Sequence, residues 1–279
     1  MTDQQPITMF VFAGRQPNIE LALPFYQRLL TENPNLQIDL WDLARDKNDS
    51  RYLRTLSADR LNIRTEYAGN PSPWRLFNQV WGHYTQLDYQ DHLFVKADDD
   101  CVFYETDRFK QFIDAADTHR DTVISALTIN NGATTPHVPA LNAGFKKLGI
   151  PLLDVHLSEP YADMCHTHMI DNWQTLVNRR PKLIPTEDWL SINCIAYDWN
   201  TGRHITQHLG RRSPSHIAGR DFKHGARVGD EGAVNMQRRA IYKGFTVAHL
   251  TFGPQNPSDE HLDKWRQGYA AIGRKYLNP

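Results

Sequence analysis

His92-Leu93-Phe94-Val95-Lys96-Ala97-Asp98-Asp99-Asp100-Cys101-Val102-Phe103 is the stretch whose reading decides the fold. A short apolar run reads as a buried strand, and at its end three carboxylates arrive together before the chain turns apolar again. Three adjacent like charges repel one another, and protonation or a cation relieves them. A hard divalent metal, Mg²⁺ or Mn²⁺, takes oxygen ligands, and a pair of carboxylates can hold it while positions stay free for phosphate oxygens. The competing reading is a solvated acidic turn. Such a turn needs neither a buried strand feeding it nor Val102-Phe103 directly after it.

Upstream, Ile7 to Ala13 (ITMFVFA) reads as a first, central strand, broken by Gly14-Arg15-Gln16-Pro17-Asn18. A glycine allows close backbone approach to a diphosphate, and a guanidinium can contact phosphate bidentately. No GxGxxG or Walker sequence is present, which leaves a Rossmann dinucleotide or P-loop site without its signature. Leu21, Phe25, Tyr26, Leu29 and Leu30 have helical spacing, with Pro24 near the helix start or kinking it. Leu36 to Trp41 alternates like a second strand ending at Asp42, a residue suited to a ribose hydroxyl or a base and equally to a cap or turn. Leu61 to Tyr67 reads as a third strand. Ser72 and Pro73 suit the start of a helix placing Trp74, Phe77, Val80 or Trp81, and Tyr84 on one face. Four strands separated by helices predict an α/β fold with a mostly parallel sheet, and in such sheets ligands sit at the carboxyl ends of the strands.

Downstream, Phe109, Phe112, Ile113 and Ala116 mark a helix and Thr122 to Leu127 a strand. Residues 130–181 are turn-rich; His137, His156, His166 and His168 have no recognised metal spacing and read as structural. Pro185-Thr186-Glu187-Asp188-Trp189 is read as opening a helix through Ala196, its acids either capping that helix or working in catalysis. Asp230-Glu231 begins a short helix, with the same two explanations. Phe245 to Phe252 reads as an apolar strand with His249 embedded in it. From Ser258 an amphipathic helix carries Leu262, Trp265, Tyr269, Ile272 and Tyr276 on one packing stripe.

The chain of 279 residues carries a net charge of −1, which argues against a general nucleic-acid coat. Its charge is unevenly placed: Arg203 to Arg227 holds six Arg/Lys and one acid, with four histidines and glycines or prolines at 210, 214, 219 and 225, and reads as a long basic loop. The three cysteines have no paired spacing and read as buried thiols. No run approaches the ~18 apolar residues of a membrane span and the start lacks the regions of a signal peptide, so the expectation is a cytoplasmic protein without a membrane.

An Asp-rich strand end near position 100, an acidic helix start and a late strand histidine together resemble a GT-A glycosyltransferase, a Rossmann-like nucleotide-diphospho-sugar transferase, over roughly Ile7 to Phe252. The resemblance implies one domain over 1–279: a nucleotide-sugar-binding half at 1–128, an acceptor half at 129–255 with the basic loop at 203–227, and a C-terminal helix at 256–279. It implies a divalent metal, Mn²⁺ or Mg²⁺, gripping the diphosphate of a UDP-sugar. Asp98 would face the nucleotide ribose or sugar and also count among the metal's ligands, Asp99 and Asp100 would face the metal, Asp99 meeting the nucleotide-sugar as well, and His249 would be the remaining protein ligand. The nucleotide-sugar would also meet Ala13, Gly14, Arg15, Asp42, Arg75 and Lys96. Asp230-Glu231 would read the donor sugar or act as base, with Glu187-Asp188 a rival for that role.

Gly14-Arg-Gln-Pro-Asn, Trp41-Asp-Leu-Ala-Arg, Tyr52-Leu-Arg-Thr-Leu, Val95-Lys-Ala-Asp-Asp-Asp and Val247-Ala-His-Leu-Thr-Phe-Gly-Pro-Gln look like phage glycosyltransferases of modified DNA, relatives of the enzyme that glucosylates hydroxymethyluracil to make base J. This implies a host-cytoplasmic enzyme whose acceptor is a 5-hydroxymethylpyrimidine in double-stranded DNA. The basic loop, with Arg211, Arg212, Arg220, Lys223 and Arg227, would supply phosphate contacts. A base in a duplex must be made reachable, often by flipping, with aromatic side chains as stacking partners. The alternatives are a glycan, lipid or small-molecule acceptor and, in another class, an inactive nucleotide- or DNA-binding protein. A sugar-phosphate nucleotidyltransferase would need a longer glycine-rich loop after the first strand. Donor sugar, stereochemical course and oligomeric state are not written in these residues.

Overall fold

The computed structural model describes residues 5–278; the side chains of Pro73 and Trp74 lie outside the described set, and with them the proposed place of Trp74 on a helix face. Strand β1 (Ile7–Ala13) is buried along its whole length, as a strongly apolar run in a sheet covered on both faces must be. It pairs in parallel with β2 (Leu36–Asp42) and β4 (Leu93–Asp98), and β2 with β3 (Leu61–Arg64), so this half is the parallel sheet the periodicity predicts. Helix α1 (Gln16–Glu32) crosses over it, burying Ile19, Ala22, Phe25, Tyr26, Leu29 and Leu30. Pro17 occupies the permissive first turn, and Pro24 lies inside the helix rather than near its start. Helix α2 (Lys47–Leu53) follows β2, and a 3₁₀ turn (Pro73–Leu76) leads into α3 (Phe77–His83); Ser72 makes no side-chain cap.

Beyond β4 the sheet becomes mixed. The chain turns at Asp99-Asp100 into β5 (Cys101–Tyr104), runs through α4 (Phe109–Thr118) to β6 (Thr122–Ile129), then forms α5 (Pro139–Leu148) and α6 (Glu159–Leu176). Residues 130–181 are thus more helical than their turn-rich composition suggests. β7 (Leu183–Pro185) and β8 (Cys194–Asp198) follow, where the sequence reading placed a helix. The Leu190–Ala196 run, mostly apolar, leads into β8, which is wholly buried between β4 and β6, antiparallel to both. A fully buried strand has no period to distinguish it from a buried helix. Thr186 instead holds a tight turn, its Oγ1 accepting from Asp188 N at 3.2 Å.

Helix α7 (Trp199–His208) leads to a hairpin, β9 (His216–Ile217) and β10 (Arg220–Asp221), then α8 (Asp230–Asn235), β11 (Arg238–His249) and α9 (Asp259–Leu277). The main sheet has the order β3-β2-β1-β4-β8-β6-β11-β5, with β7 also on β11. β11 runs parallel to β6 but antiparallel to β5 and β7, so pairings divide evenly and "mostly parallel" holds only for the first half. The result is an α/β architecture with a mixed central sheet flanked by helices, compatible with a Rossmann-like fold. The α9 stripe packs as expected: Trp265, Tyr269, Ile272 and Tyr276 are buried and Ser258 caps the helix by accepting from His261 N. Among the described residues no helix is long and apolar enough to cross a membrane.

Candidate functional site

Parallel pairing of β1, β2 and β4 brings their carboxyl ends to one edge: Phe12 lies opposite Asp98 and Ala13 opposite Asp42. β8 starts from that edge and β11 ends on it. Their backbones clamp the acidic turn from both sides, Asp98 N donating to Asn193 O at 2.9 Å and Leu250 N to Asp100 O at 2.7 Å. His249, at the end of β11 and paired with Cys101, is thereby delivered to the acids across 149 residues of sequence. A cleft of about 500 Å³ opens there, lined by Ala13, Gly14, Arg15, Lys96, the three aspartates, His249, Asp230 and Glu231 among others.

The three aspartates do different things. Asp99 is turned back onto the β1–α1 turn: Gly14 N donates to its Oδ2 at 2.9 Å and Arg15 Nε to its Oδ1 at 3.1 Å. Burial pushes its carboxyl up, against the pull of Arg15. Asp98, Asp100 and His249 instead converge, each offering a ligand atom within 4.8 Å of the others'. Asp99 lies outside this group, which corrects the expectation that it shares the metal. Asp98 accepts from Lys96 Nζ and from Asn193 Nδ2 at 3.1 Å, and Asn193 is held in turn by Asn131 Nδ2 at 2.9 Å.

These residues fit a divalent cation on a direct observation. Asp100 Oδ1 and His249 Nε2 lie 3.1 Å apart, yet Oδ1 is buried without a hydrogen-bond partner, as is His249 Nδ1. Buried polar atoms are normally satisfied, and an orphaned carboxylate oxygen facing an imidazole nitrogen is the arrangement a shared cation completes. Without one, Arg15 supplies positive charge, its guanidinium 2.9 Å from Asp100 Oδ2. Burial alone would raise the Asp100 carboxyl; Arg15 and His249 outweigh it and hold it below the usual carboxylate range.

Across the cleft stands α8. Asp230 Oδ2 accepts from Trp81 Nε1 at 3.4 Å, and burial raises its carboxyl against the pull of Lys96. Burial, reinforced by Asp230, raises Glu231, while Ser191, Trp189 and Arg220 favour its ionised form. Asn235 fixes the helix by exchanging two 2.8 Å bonds with the backbone of Leu190. The buried Arg239 donates to Gln237 O at 2.6 Å and to Asn235 O, placing a cation at the carboxyl end of α8. Lys96, fully enclosed, donates to Ile192 O at 2.9 Å and lies 5.0 Å over Phe12, an internal counter-ion to Asp98 and Asp230.

Other expected positions fall elsewhere. Asp188 is exposed outside the cleft, because its segment is a turn and not a helix start aimed inward. Asp42 is fully buried and spent on its own turn, accepting from Ser50 Oγ at 2.6 Å and Ala44 N at 3.3 Å. Arg75 is exposed on the 3₁₀ turn and does not line the cleft. Arg203 and its neighbours belong to α7, and the remainder of the basic segment is a hairpin finger rather than a loop: Val228 N bonds Arg211 O, Ser213 N bonds Ala226 O, and Ala218-Gly219 turns the tip. Arg211, Arg212, Lys223 and Arg227 are exposed on it, while Arg220 folds over Trp189 at 4.7 Å. The sequence reading missed Asn193, Asn131 and Arg239. Asn193 had a signal, a polar residue inside an apolar run, that has a use only once partners distant in sequence are known; Asn131 and Arg239 sit in polar surroundings with none. No protein-family model matches the chain, and no curated protein matches it.

Proposed function

We propose that the protein is a GT-A-type, metal-dependent glycosyltransferase that moves a sugar from a UDP-sugar to the hydroxyl of a 5-hydroxymethylpyrimidine in DNA. The observation that carries the proposal is the Asp98–Asp100–His249 cluster at the carboxyl end of the strands, with Gly14 and Arg15 beside it and Asp230 and Glu231 facing it across one cleft. A nucleoside diphosphate needs a cation and a guanidinium on one side, and a hydroxyl acceptor needs a carboxylate on the other.

Asp98, Asp100 and His249 would hold the ion, which supplies charge neutralisation to the departing diphosphate. Arg15, which lines the cleft 2.9 Å from Asp100, would give the diphosphate a guanidinium contact. Lys96 orients Asp98, its Nζ donating to the carboxylate. Asp230 or Glu231, raised towards neutrality by burial, takes the proton of the attacking hydroxyl in a direct displacement or stabilises the cationic sugar centre in a retaining one. The exposed cations of the finger give DNA an electrostatic landing surface.

The test is donor consumption with Mn²⁺ or Mg²⁺, a panel of UDP-sugars and duplex DNA with or without 5-hydroxymethylpyrimidines, followed by digestion and nucleoside mass. A hexose or pentose mass on the hydroxymethylated base alone supports the proposal. Metal-dependent hydrolysis with unmodified DNA keeps the transferase and removes this acceptor; no consumption of any donor rejects both.

A further inference from the structure

We propose that a second, smaller cavity behind Glu231 is the acceptor subsite, and that it takes a single planar, hydroxyl-bearing ring carried on a polyanionic strand. This deepens the transferase reading and rests on it. The cavity holds about 220 Å³ and shares Glu231, Phe252 and Gly253 with the main cleft, so the two meet at one carboxylate. Arg15, the three aspartates and His249 line only the main cleft, which leaves the smaller one without machinery for a diphosphate.

What lines it suits a ring. Three aromatic side chains, Trp189, Phe252 and His156, line it, and the space is below the ~300 Å³ at which pockets begin to enclose drug-sized ligands, so an oligosaccharide is too large. Phe252 packs on His249 at 4.5 Å between centroids, tying this wall to the acidic cluster. Trp189 is held by Arg220, 4.7 Å over its ring, and by Phe222, tilted against it at 6.0 Å. A rigid indole of this kind is a stacking platform for a base.

The choice of a polyanion over a free small molecule comes from Arg220. It lines the cavity and also belongs to β10 of the finger, whose Arg211, Arg212, Lys223 and Arg227 stay exposed. The element that closes the cavity therefore carries the cations a phosphate backbone would meet outside it. A neutral free sugar has no use for that row. In the displacement, the acceptor oxygen bonds to the anomeric carbon and gives its proton to Glu231. The bond from that carbon to the diphosphate breaks, and its electron pair leaves with the diphosphate.

The experiment compares wild type with Leu153→Trp, which fills the cavity from a residue that does not line the main cleft, and with Trp189→Ala, after thermal melts have shown all three folded. Three readouts are taken: UDP release without acceptor, transfer to hydroxymethylated duplex, and fluorescence anisotropy of that duplex. Expected are transfer lost in Leu153→Trp with UDP release within about two-fold of wild type, and an acceptor KM raised roughly ten-fold in Trp189→Ala. Wild-type KM and anisotropy in both variants overturn the subsite. Transfer to a free glycan instead, blocked by Leu153→Trp, overturns the polyanionic ring. If wild type releases no UDP, the transferase reading fails; duplex affinity lost in Leu153→Trp would still support the cavity as the base-binding site.

Discussion

Asp100 Oδ2 lies 2.9 Å from Arg15 and Oδ1 3.1 Å from His249, so replacing it with Asn removes the negative charge that Arg15 faces and one carboxylate oxygen beside His249. Asp100→Asn is expected to lower Mn²⁺ affinity by more than the roughly 10–100-fold typical of changes just outside a metal's ligands, and metal-dependent UDP release with it. Isothermal titration with Mn²⁺ checks this. Asn193→Ala, which frees Asp98 without removing a ligand, is expected to fall within that 10–100-fold range in the same titration. Asp99→Asn separates the neighbouring acids: its partners are Gly14 N and Arg15, so it should cost about 1–3 kcal/mol in denaturant unfolding and change Mn²⁺ affinity far less than Asp100→Asn. Equal affinity losses for the two variants would reject this division of labour. At this scale the acids were legible in the sequence as a cluster. Their individual roles were not, since three adjacent Asp residues differ only in which way the turn points them.

Helices α6 and α9 meet through His166, buried against Trp265 at 4.4 Å between ring centroids. Its Nε2–H donates to Leu250 O at 2.6 Å, and Nδ1 accepts from the Tyr269 hydroxyl at 2.8 Å, so the neutral ring satisfies both sides. Burial pushes its pKa down to about 3, while the unfolded chain has the ordinary value near 6.5. Between those values the unfolded state binds the extra proton. The stabilisation is complete above about pH 6.5 and is lost as pH falls towards 3, at up to ~1.4 kcal/mol per pH unit. The melting temperature should therefore fall more steeply from pH 7 to pH 5 in wild type than in His166→Phe; parallel slopes would show that His166 is not the titrating group. The finger is governed by its tip, where Gly219 has φ +82° and Ala218 φ +46°. Gly219→Val should strain this turn and weaken duplex binding, leaving UDP release without acceptor near wild type. A helix was expected at Pro185–Ala196 and a loop at 203–227 because local pattern is weakest in buried strands and short hairpins, whose partners are elsewhere.

Across the whole molecule, charge is distributed so that a chain of net charge −1 presents a cationic finger beside an acidic cleft. Counter-ion release from DNA scales with the phosphates contacted, not with net charge. Duplex affinity should fall steeply with salt, and Arg211→Ala with Arg212→Ala should reduce the slope of log affinity against log salt by about two units. A flat slope in wild type would remove DNA as the acceptor and leave the cleft chemistry untouched.

The sequence by itself determined the parallel half of the sheet, because β1, β2 and β4 are apolar runs between helices, and it placed Arg15 and Asp98–Asp100 at one strand edge. It also marked His249 and Asp230-Glu231 as candidates by their chemistry. Only the tertiary structure decided which of them meet. β8 enters antiparallel to bring Asn193 to Asp98, β11 carries His249 to Asp100, and Asn235 and Arg239 fix α8 across the cleft. Periodicity reports which face of an element is buried. Which distant element buries it depends on sheet order, and nothing local in the chain encodes that order.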